Sequence, residues 1–306
     1  MTSVVRPLRP ADVPAVVEML AAAVPHQMIT EEWLGWRLTG GPAAERFGVL
    51  VAATADGVVG AALTGLLHES ADPGLGFANL TVHPRRRGGG AGTALLVAAE
   101  RRLAALGAVA AYAKVADDPA STGFAERRGY RRGRRAEFLL LDLAQADLSA
   151  AAALPAGVRL LAAADLSDPY PLYLADLDAS RDEPGEVTMD EISYADWRSA
   201  YWERPDLDRD LTTVAVRDGE VLAFGFALTD RRDRYRSGMT GTRREHRGRG
   251  LARAVKQRSL SRARAAGLRY AYTSNDAGNV AMLTLNRRLG YRPVAAEWRY
   301  LRDLSG

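Results

Sequence analysis

Two arginine–glycine stretches hold the residues whose types and spacing could do chemistry: Arg87-Gly88-Gly89-Gly90-Ala91-Gly92 and Arg247-Gly248-Arg249-Gly250-Leu251-Ala252. Each follows a strand-like run and enters a helix-forming stretch rich in alanine, leucine and arginine. Glycines at such a junction remove Cβ atoms, so successive backbone N–H groups can converge on an anion. The helix that follows offers its unpaired first amides and the positive end of its dipole. That combination suits a diphosphate. Neither stretch ends in Gly-Lys-Ser/Thr and neither is a GxGxxG, which argues against a nucleoside-triphosphate loop and a dinucleotide fold. A tight strand-to-helix turn with solvated arginines would use the same glycines, and the repetition in one context weighs against it.

The elements that position these loops are also repeated. Arg87 aligns with Arg247 and Gly90 with Gly250, and at the same offset both helices close at a glycine, Gly107 and Gly267. A short strand-like run follows each, "AVAAYAKV" and "LRYAYTS", then a helix ending in "RRGY" (Arg127 to Tyr130) or "RLGY" (Arg288 to Tyr291). Landmarks kept at one offset indicate an internal duplication. The first half predicts the order β-α-α-β-β-β-α-β-α-β, with Thr30 as a helix cap and Ala55-Asp56-Gly57 as a hairpin turn. The second half predicts the same order, with Arg217-Asp218-Gly219-Glu220 as the matching turn. The stretch Ala144 to Gly157 lacks periodicity and holds Pro155, so domains at 1–146 and 157–306 are expected.

Composition bounds the function. The 306 residues suit two domains, each able to bury its own core. No cysteine is present, which excludes disulfides and thiolate ligands. No apolar run approaches the ~18 residues of a membrane span, so a cytoplasmic protein without a membrane partner is expected. Arginine dominates the basic residues, Lys114 and Lys256 being the two lysines, and the formal net charge of +4 is too mild to demand a nucleic acid. His26, His68, His83 and His246 have no metal-ligand spacing, and no metal is expected.

Both loops resemble the Arg/Gln-x-x-Gly-x-Gly/Ala signature of the GNAT superfamily of N-acetyltransferases, and the element order is that family's order. The resemblance implies an α/β (α+β) protein of two GNAT-like domains, each a mixed, mostly antiparallel sheet flanked by helices. It implies acetyl-CoA, or another acyl-CoA, held at its diphosphate by Arg87, Gly88, Gly89, Gly90, Ala91, Gly92 and Thr93, and by Arg247, Gly248, Arg249, Gly250, Leu251 and Ala252. The preceding strand ends, Leu80, Thr81, Val82 and Thr240, Gly241, Thr242, would bond the pantetheine arm and thioester through their backbones, where the fourth and fifth strands splay apart. The spacing Asn275, Asn279, Asn286 resembles the family's region after the fifth strand, where asparagines approach the cofactor. A helix cap for Asn279 and a surface position for Asn286 are the alternatives.

The implied reaction is attack of a small molecule's primary amine on the acetyl thioester, in a monomer or homodimer. An amine attacks only when neutral, so a base or a water relay is needed; Asp178, Asp182 and Glu183 are candidates, with a solvated acidic loop as the alternative. Many family members have a tyrosine as general acid where this chain has Asn286, with Ala125 at the equivalent place in the first half. The first half also reads Asp118 where Asn279 would be. The second domain is therefore expected to be the catalytic one, the first binding acetyl-CoA without turnover or serving structurally. Trp197, Tyr201 and Trp202, like Trp33 and Trp36, are expected as core or acceptor-pocket wall. A different class stays open: transfer involving an RNA-linked donor or acceptor, or a non-enzymatic nucleotide- or nucleic-acid-binding module using Arg231 to Arg236 and the second loop as a phosphate track, with Tyr235 for stacking.

Overall fold

Hairpin turns, helix caps and glycine stops in this sequence produce the same series of elements twice. The computed structural model of the chain describes residues 3–67, 70, 72, 74–148, 153–181 and 192–305. In the first half, β1 (Val4–Pro7) leads to α1 (Val13–Ala23), α2 (Glu31–Thr39), β2 (Gly48–Thr54), β3 (Gly57–Leu66) and β4 (Leu75–Val82). Then come α3 (Ala91–Ala105), β5 (Ala110–Ala116), α4 (Pro119–Glu126) and β6 (Arg131–Asp142). The second half runs β7 (Arg159–Ala162), α5 (Tyr170–Ser180), α6 (Tyr194–Trp197), β8 (Thr213–Arg217), β9 (Glu220–Thr229) and β10 (Arg234–Thr242). It ends with α7 (Leu251–Ala265), β11 (Tyr270–Asp276), α8 (Val280–Arg288) and β12 (Arg292–Asp303). This is the order predicted from the sequence. The Thr30 side chain accepts the Trp33 amide at 3.1 Å to start α2, and Gly107 and Gly267, at φ +84° and +86°, end α3 and α7 in the left-handed conformation that glycine tolerates.

One element departs from expectation. The stretch 194–203 reads as a plain helix, but after α6 it winds as a π-helix over Arg198–Trp202, with the Glu203 amide reaching back to the Arg198 carbonyl at 2.8 Å. The wider turn brings residues five apart into line. Trp197 and Trp202 stack, their ring centroids 6.2 Å apart.

The compact units divide the chain differently from a joint at 146–157: the division falls between Ala136 and Glu137, inside β6, and between Ala295 and Ala296, inside β12. Unit 1 carries β1-β2-β3-β4-β5 in that order, closed beside β5 by the second part of β12. Unit 2 carries β7-β8-β9-β10-β11, closed beside β11 by the second part of β6. Each sheet is thus finished by a strand from the opposite half of the sequence. In unit 1 the helices pack on both faces. Val51 and Ala61 belong to the cluster under α1 and α2, while their chain neighbours Ala52 and Ala62 face Leu95, Ala99 and Leu103 of α3, as strand alternation requires. In unit 2, Leu251 and Val255 of α7 cover Ala215, Leu222 and Ala223. Ala179 of α5 lies so close to Gly241 that an added Cβ there would come within 2.6 Å of it.

The closing strand of unit 1 is held by burial and by polar ties. Residues Glu297 to Asp303 pair antiparallel with Ala116 to Ala110 of β5, and Tyr300 is fully buried in the α3 core. Its hydroxyl donates to Glu126 at 2.9 Å and accepts from Arg132 Nε at 2.9 Å. Arg302 Nη1 and the Tyr130 hydroxyl both donate to Glu100, at 2.7 and 3.0 Å. Removing so large a buried side chain costs about 3–5 kcal/mol, so Tyr300→Ala should lower the unfolding midpoint and strip hydrogen-exchange protection from β5. Wild-type exchange in β5 of this variant would show that β12 does not hold unit 1 together.

Candidate functional site

The two loops share one backbone trace. In unit 1 the chain leaves β4 through a short 3-10 turn at Pro84–Arg86, and Arg87 is extended. Gly88 and Gly90 then adopt φ +83° and +84°. In unit 2 the same course follows β10: a 3-10 turn at Arg244–His246, Arg247 extended, Gly248 at φ +73° and Gly250 at +78°. Left-handed glycines on either side of one residue bend the backbone into the concave form that binds anions. Gly90 and Gly250 are the N-caps of the 15-residue helices α3 and α7, and neither helix receives a side-chain cap. The first-turn amides of both helices are therefore available to a negative ligand. A Cβ placed on Gly88, Gly90, Gly248 or Gly250 would meet no protein atom within 4 Å; it would occupy the open side of the loop. Arg87 Nε reaches the Val82 carbonyl at 3.5 Å, and Arg247 Nε reaches Thr242 at 3.1 Å, so the first arginine of each loop ties it back to its strand. These observations fit a diphosphate.

Beside each loop two parallel strands part. In unit 1, β4 pairs with β5 from Leu75 to Phe77, although β4 runs on to Val82. In unit 2, β10 pairs with β11 from Arg234 to Arg236 and runs on to Thr242. The two partings differ. Asn79 Oδ1 accepts the Lys114 amide at 2.9 Å, so a side chain bridges the gap in unit 1. The β3·β4 ladder there is unbroken. The aligned residue in unit 2 is Met239, which has no amide to offer. There the β9·β10 register shifts between Ser237 and Thr240, and an added Cβ on Gly238 would sit 3.0 Å from Phe226 Cβ. Such a bulge re-aims the strand.

The remaining expected residues take distinct places. Asn286 is fully buried and donates through Nδ2 to Asn275 Oδ1 at 2.7 Å, which joins α8 to the end of β11. Asn279 caps α8, its Oδ1 accepting the Met282 amide at 3.1 Å. Asp118 does the same for α4, accepting from Ala120 and Ser121 at 3.0 and 2.9 Å. Asp178 Oδ2 accepts the Arg244 amide at 2.7 Å, which fastens α5 to the start of the second loop. Asp182 and Glu183 lie outside the described residues. Trp197 and Trp202 are buried, in a cluster with Tyr173, Tyr194 and Phe226.

Two buried groups went unnoticed in the sequence. Asp176 of α5 accepts Trp197 Nε1 at 2.8 Å. Lys256 of α7 is 2% exposed, and its Nζ lies 3.0 Å from Ser237 Oγ, the first β10 residue beyond the pairing with β11. Burial alone lowers its pKa from an ordinary 10.5 to about 7. A faint signal existed: in a chain with two lysines, a solvated helix position would more readily hold arginine.

Comparisons with known proteins match both halves of the chain. A family model described as Acetyltransferase (GNAT) family matches residues 18–130 and 173–291. Mycothiol acetyltransferase of Streptomyces avermitilis is 31% identical over 305 residues, covering 96% of this chain and 92% of its own. Two solved structures share the fold. A tandem GNAT protein from the clavulanic acid biosynthesis pathway has a TM-score of 0.77 at 23% identity, covering 99% of each chain. A GCN5-related N-acetyltransferase from Sphaerobacter thermophilus has a TM-score of 0.74 at 22% identity, covering 99% of this chain and 96% of its own.

Lys256 makes stability depend on pH in a definite direction. The unfolded chain keeps the proton up to about pH 10.5, whereas the folded chain releases it above about 7, so the penalty is complete below 7 and fades as pH rises towards 10.5. Lys256→Met should raise the melting temperature at and below neutral pH, by about 2–4 °C for each kcal/mol regained. That gain should shrink between pH 7 and 10. A gain that stays constant across this range would show that the amine is charged in the fold.

Proposed function

Because the chain belongs to the acetyltransferase (GNAT) family, we propose that it moves an acetyl group from acetyl-CoA to the primary amine of a small molecule, and that unit 2 does so. The observation that carries this choice is the contrast at the two partings: open and bulged beside the second loop, bridged by Asn79 beside the first. Similarity to the mycothiol enzyme makes a mycothiol-related acceptor the first to test.

In this reading the amides and arginines of residues 247–252 hold the diphosphate, and the free backbone edge of β10 from Thr240 to Thr242 orients the pantetheine arm. Acetyl-CoA supplies the activated acyl carbon. The acceptor enters along the wall formed by Trp197, Trp202 and Tyr173, where aromatic faces and the Asp176 carboxylate favour an ammonium group. Asp178 steadies the loop through Arg244, and Asp182 and Glu183 remain the proposed bases for the acceptor's proton. Unit 1, with its intact loop and bridged gap, binds acetyl-CoA without turnover or serves structurally.

Three outcomes are expected. Acetyl-CoA at a hundredfold its dissociation constant stabilises the protein by about 2.7 kcal/mol, read as a thermal shift; millimolar acetyl-CoA and CoA that shift nothing would sink the proposal. A screen of amine acceptors, followed by release of free thiol, finds turnover with a mycothiol-related or similar small amine. Gly250→Val, which forces a branched residue into a left-handed conformation at about 1–2 kcal/mol, leaves the protein folded but abolishes that turnover, whereas Gly90→Val keeps most of it. The reverse pattern in the two variants would move the active site to unit 1.

A further inference from the structure

The acetyltransferase reading leaves one step without an agent. When the acetyl group leaves CoA, the departing sulfur must take up a proton or be neutralised. Asn286, at the place of the family's tyrosine, has no proton to give at ordinary pH, and its Nδ2 is already bonded to Asn275. Its Oδ1 is buried and without a partner.

A group fit for the task lies at the parting of β10 and β11. Ser237 follows the last residue of β10 that pairs with β11 and opens the bulge against β9, and Lys256 Nζ is bonded to its hydroxyl. The groups that share this buried patch are hydroxyls: Tyr235, bonded to Ser259 Oγ at 2.8 Å, and Tyr291, whose ring centroid lies 5.5 Å from Nζ and whose buried hydroxyl interacts with that of Ser237. No carboxylate acts on Lys256, whose proton affinity is lowered by burial alone. Burial pushes both tyrosine hydroxyls up instead, so they hold their protons. Unit 1 has nothing comparable among its described residues: in register with the strand pairing Ala78 stands for Ser237 and Gly76 for Tyr235, and on the helix Leu96 stands for Lys256 and Ala99 for Ser259. A buried, unpaired amine is costly to keep, and it stands in the unit whose gap is open.

We propose that Lys256, acting through the Ser237 hydroxyl, delivers the proton that neutralises the departing CoA thiolate in unit 2. The inference rests on the acetyltransferase reading. The acceptor nitrogen forms a bond to the acetyl carbon, the carbon–sulfur bond breaks, and its electron pair goes to sulfur. Ser237 gives its hydroxyl proton to sulfur and takes one from the Lys256 ammonium. Lys256 is left a neutral amine, and the proton released by the acceptor nitrogen restores it through solvent, so charge and protons balance. Lys256 works through Ser237 and is a positioning residue in this scheme.

The test needs no acceptor. Binding of CoA, of desulfo-CoA, which lacks the thiol, and of acetyl-CoA is measured by calorimetry on the full chain at pH 8, for wild type, Lys256→Met and Ser237→Ala. Wild type should bind CoA roughly tenfold more tightly than desulfo-CoA, because at this pH the neutral amine and the Ser237 hydroxyl hold the protonated thiol that the step produces. In Lys256→Met, and in Ser237→Ala, which leaves the lysine in place, that preference should fall to about one, while desulfo-CoA and acetyl-CoA still bind within about twofold of wild type. A thiol preference unchanged in both variants overturns the proposal. So does an equal loss of all three ligands, which would assign Lys256 to packing. Wild type that binds no form of CoA defeats the acetyltransferase reading itself, and this inference with it.

Discussion

The rest of each site depends on a parallel strand pair that stays in register for three residues. Leu75 to Phe77 lie against Ala110 to Tyr112 in unit 1, and Arg234 to Arg236 against Tyr270 to Tyr272 in unit 2. Past that point one strand runs on with its inner edge unpaired. An unpaired backbone edge inside a fold is unfavourable unless something bonds to it. The loop at the far end of the same strand makes the matching demand, with glycine-capped helix amides that no side chain satisfies. A ligand with a diphosphate at one end and an amide-bearing arm answers both demands at once.

The units show two ways of living with the gap. Unit 1 fills it: an asparagine side chain replaces a missing ladder bond, and the surrounding helix and strand are apolar at Leu96, Ala99 and Ala78. Unit 2 keeps it open, bulges the neighbouring strand and buries a lysine, two tyrosines and two serines nearby. The second arrangement keeps a costly polar interior, and such interiors cluster at functional sites.

Loops, element order and duplication were legible because they rest on local rules. A glycine that must take positive φ, an uncapped helix start and an alternating strand each leave a mark within a few residues. The exchange of last strands left none: "RRAEFLLLDL" and the run from Arg292 to Asp303 are both strand-like, and nothing in either names the neighbour it will bond. The cap at Asn279 was among the readings its position allowed, whereas the surface position allowed for Asn286 is replaced by a buried tie to Asn275, since the two differ only in what the fold brings near them. Lys256 sits among arginines on a helix whose inner face is otherwise small or apolar, with Gln257 and Ser259 beside it. Only packing reveals that its ammonium points inward.

The closing strand of unit 1 has a bearing on how the chain is made. Synthesis runs from the N-terminus and domains ordinarily fold as they emerge, yet the strand that completes the first sheet lies at residues 297–303, beyond every other element. Until it arrives, β5 has an uncovered edge and the α3 core lacks Tyr300. The nascent first unit therefore waits, with an exposed strand of the kind that invites pairing with other chains, while the whole second half of the chain is made. Such a topology discourages any rearrangement that would separate the two halves into independent genes, because each would lose the strand that closes its sheet.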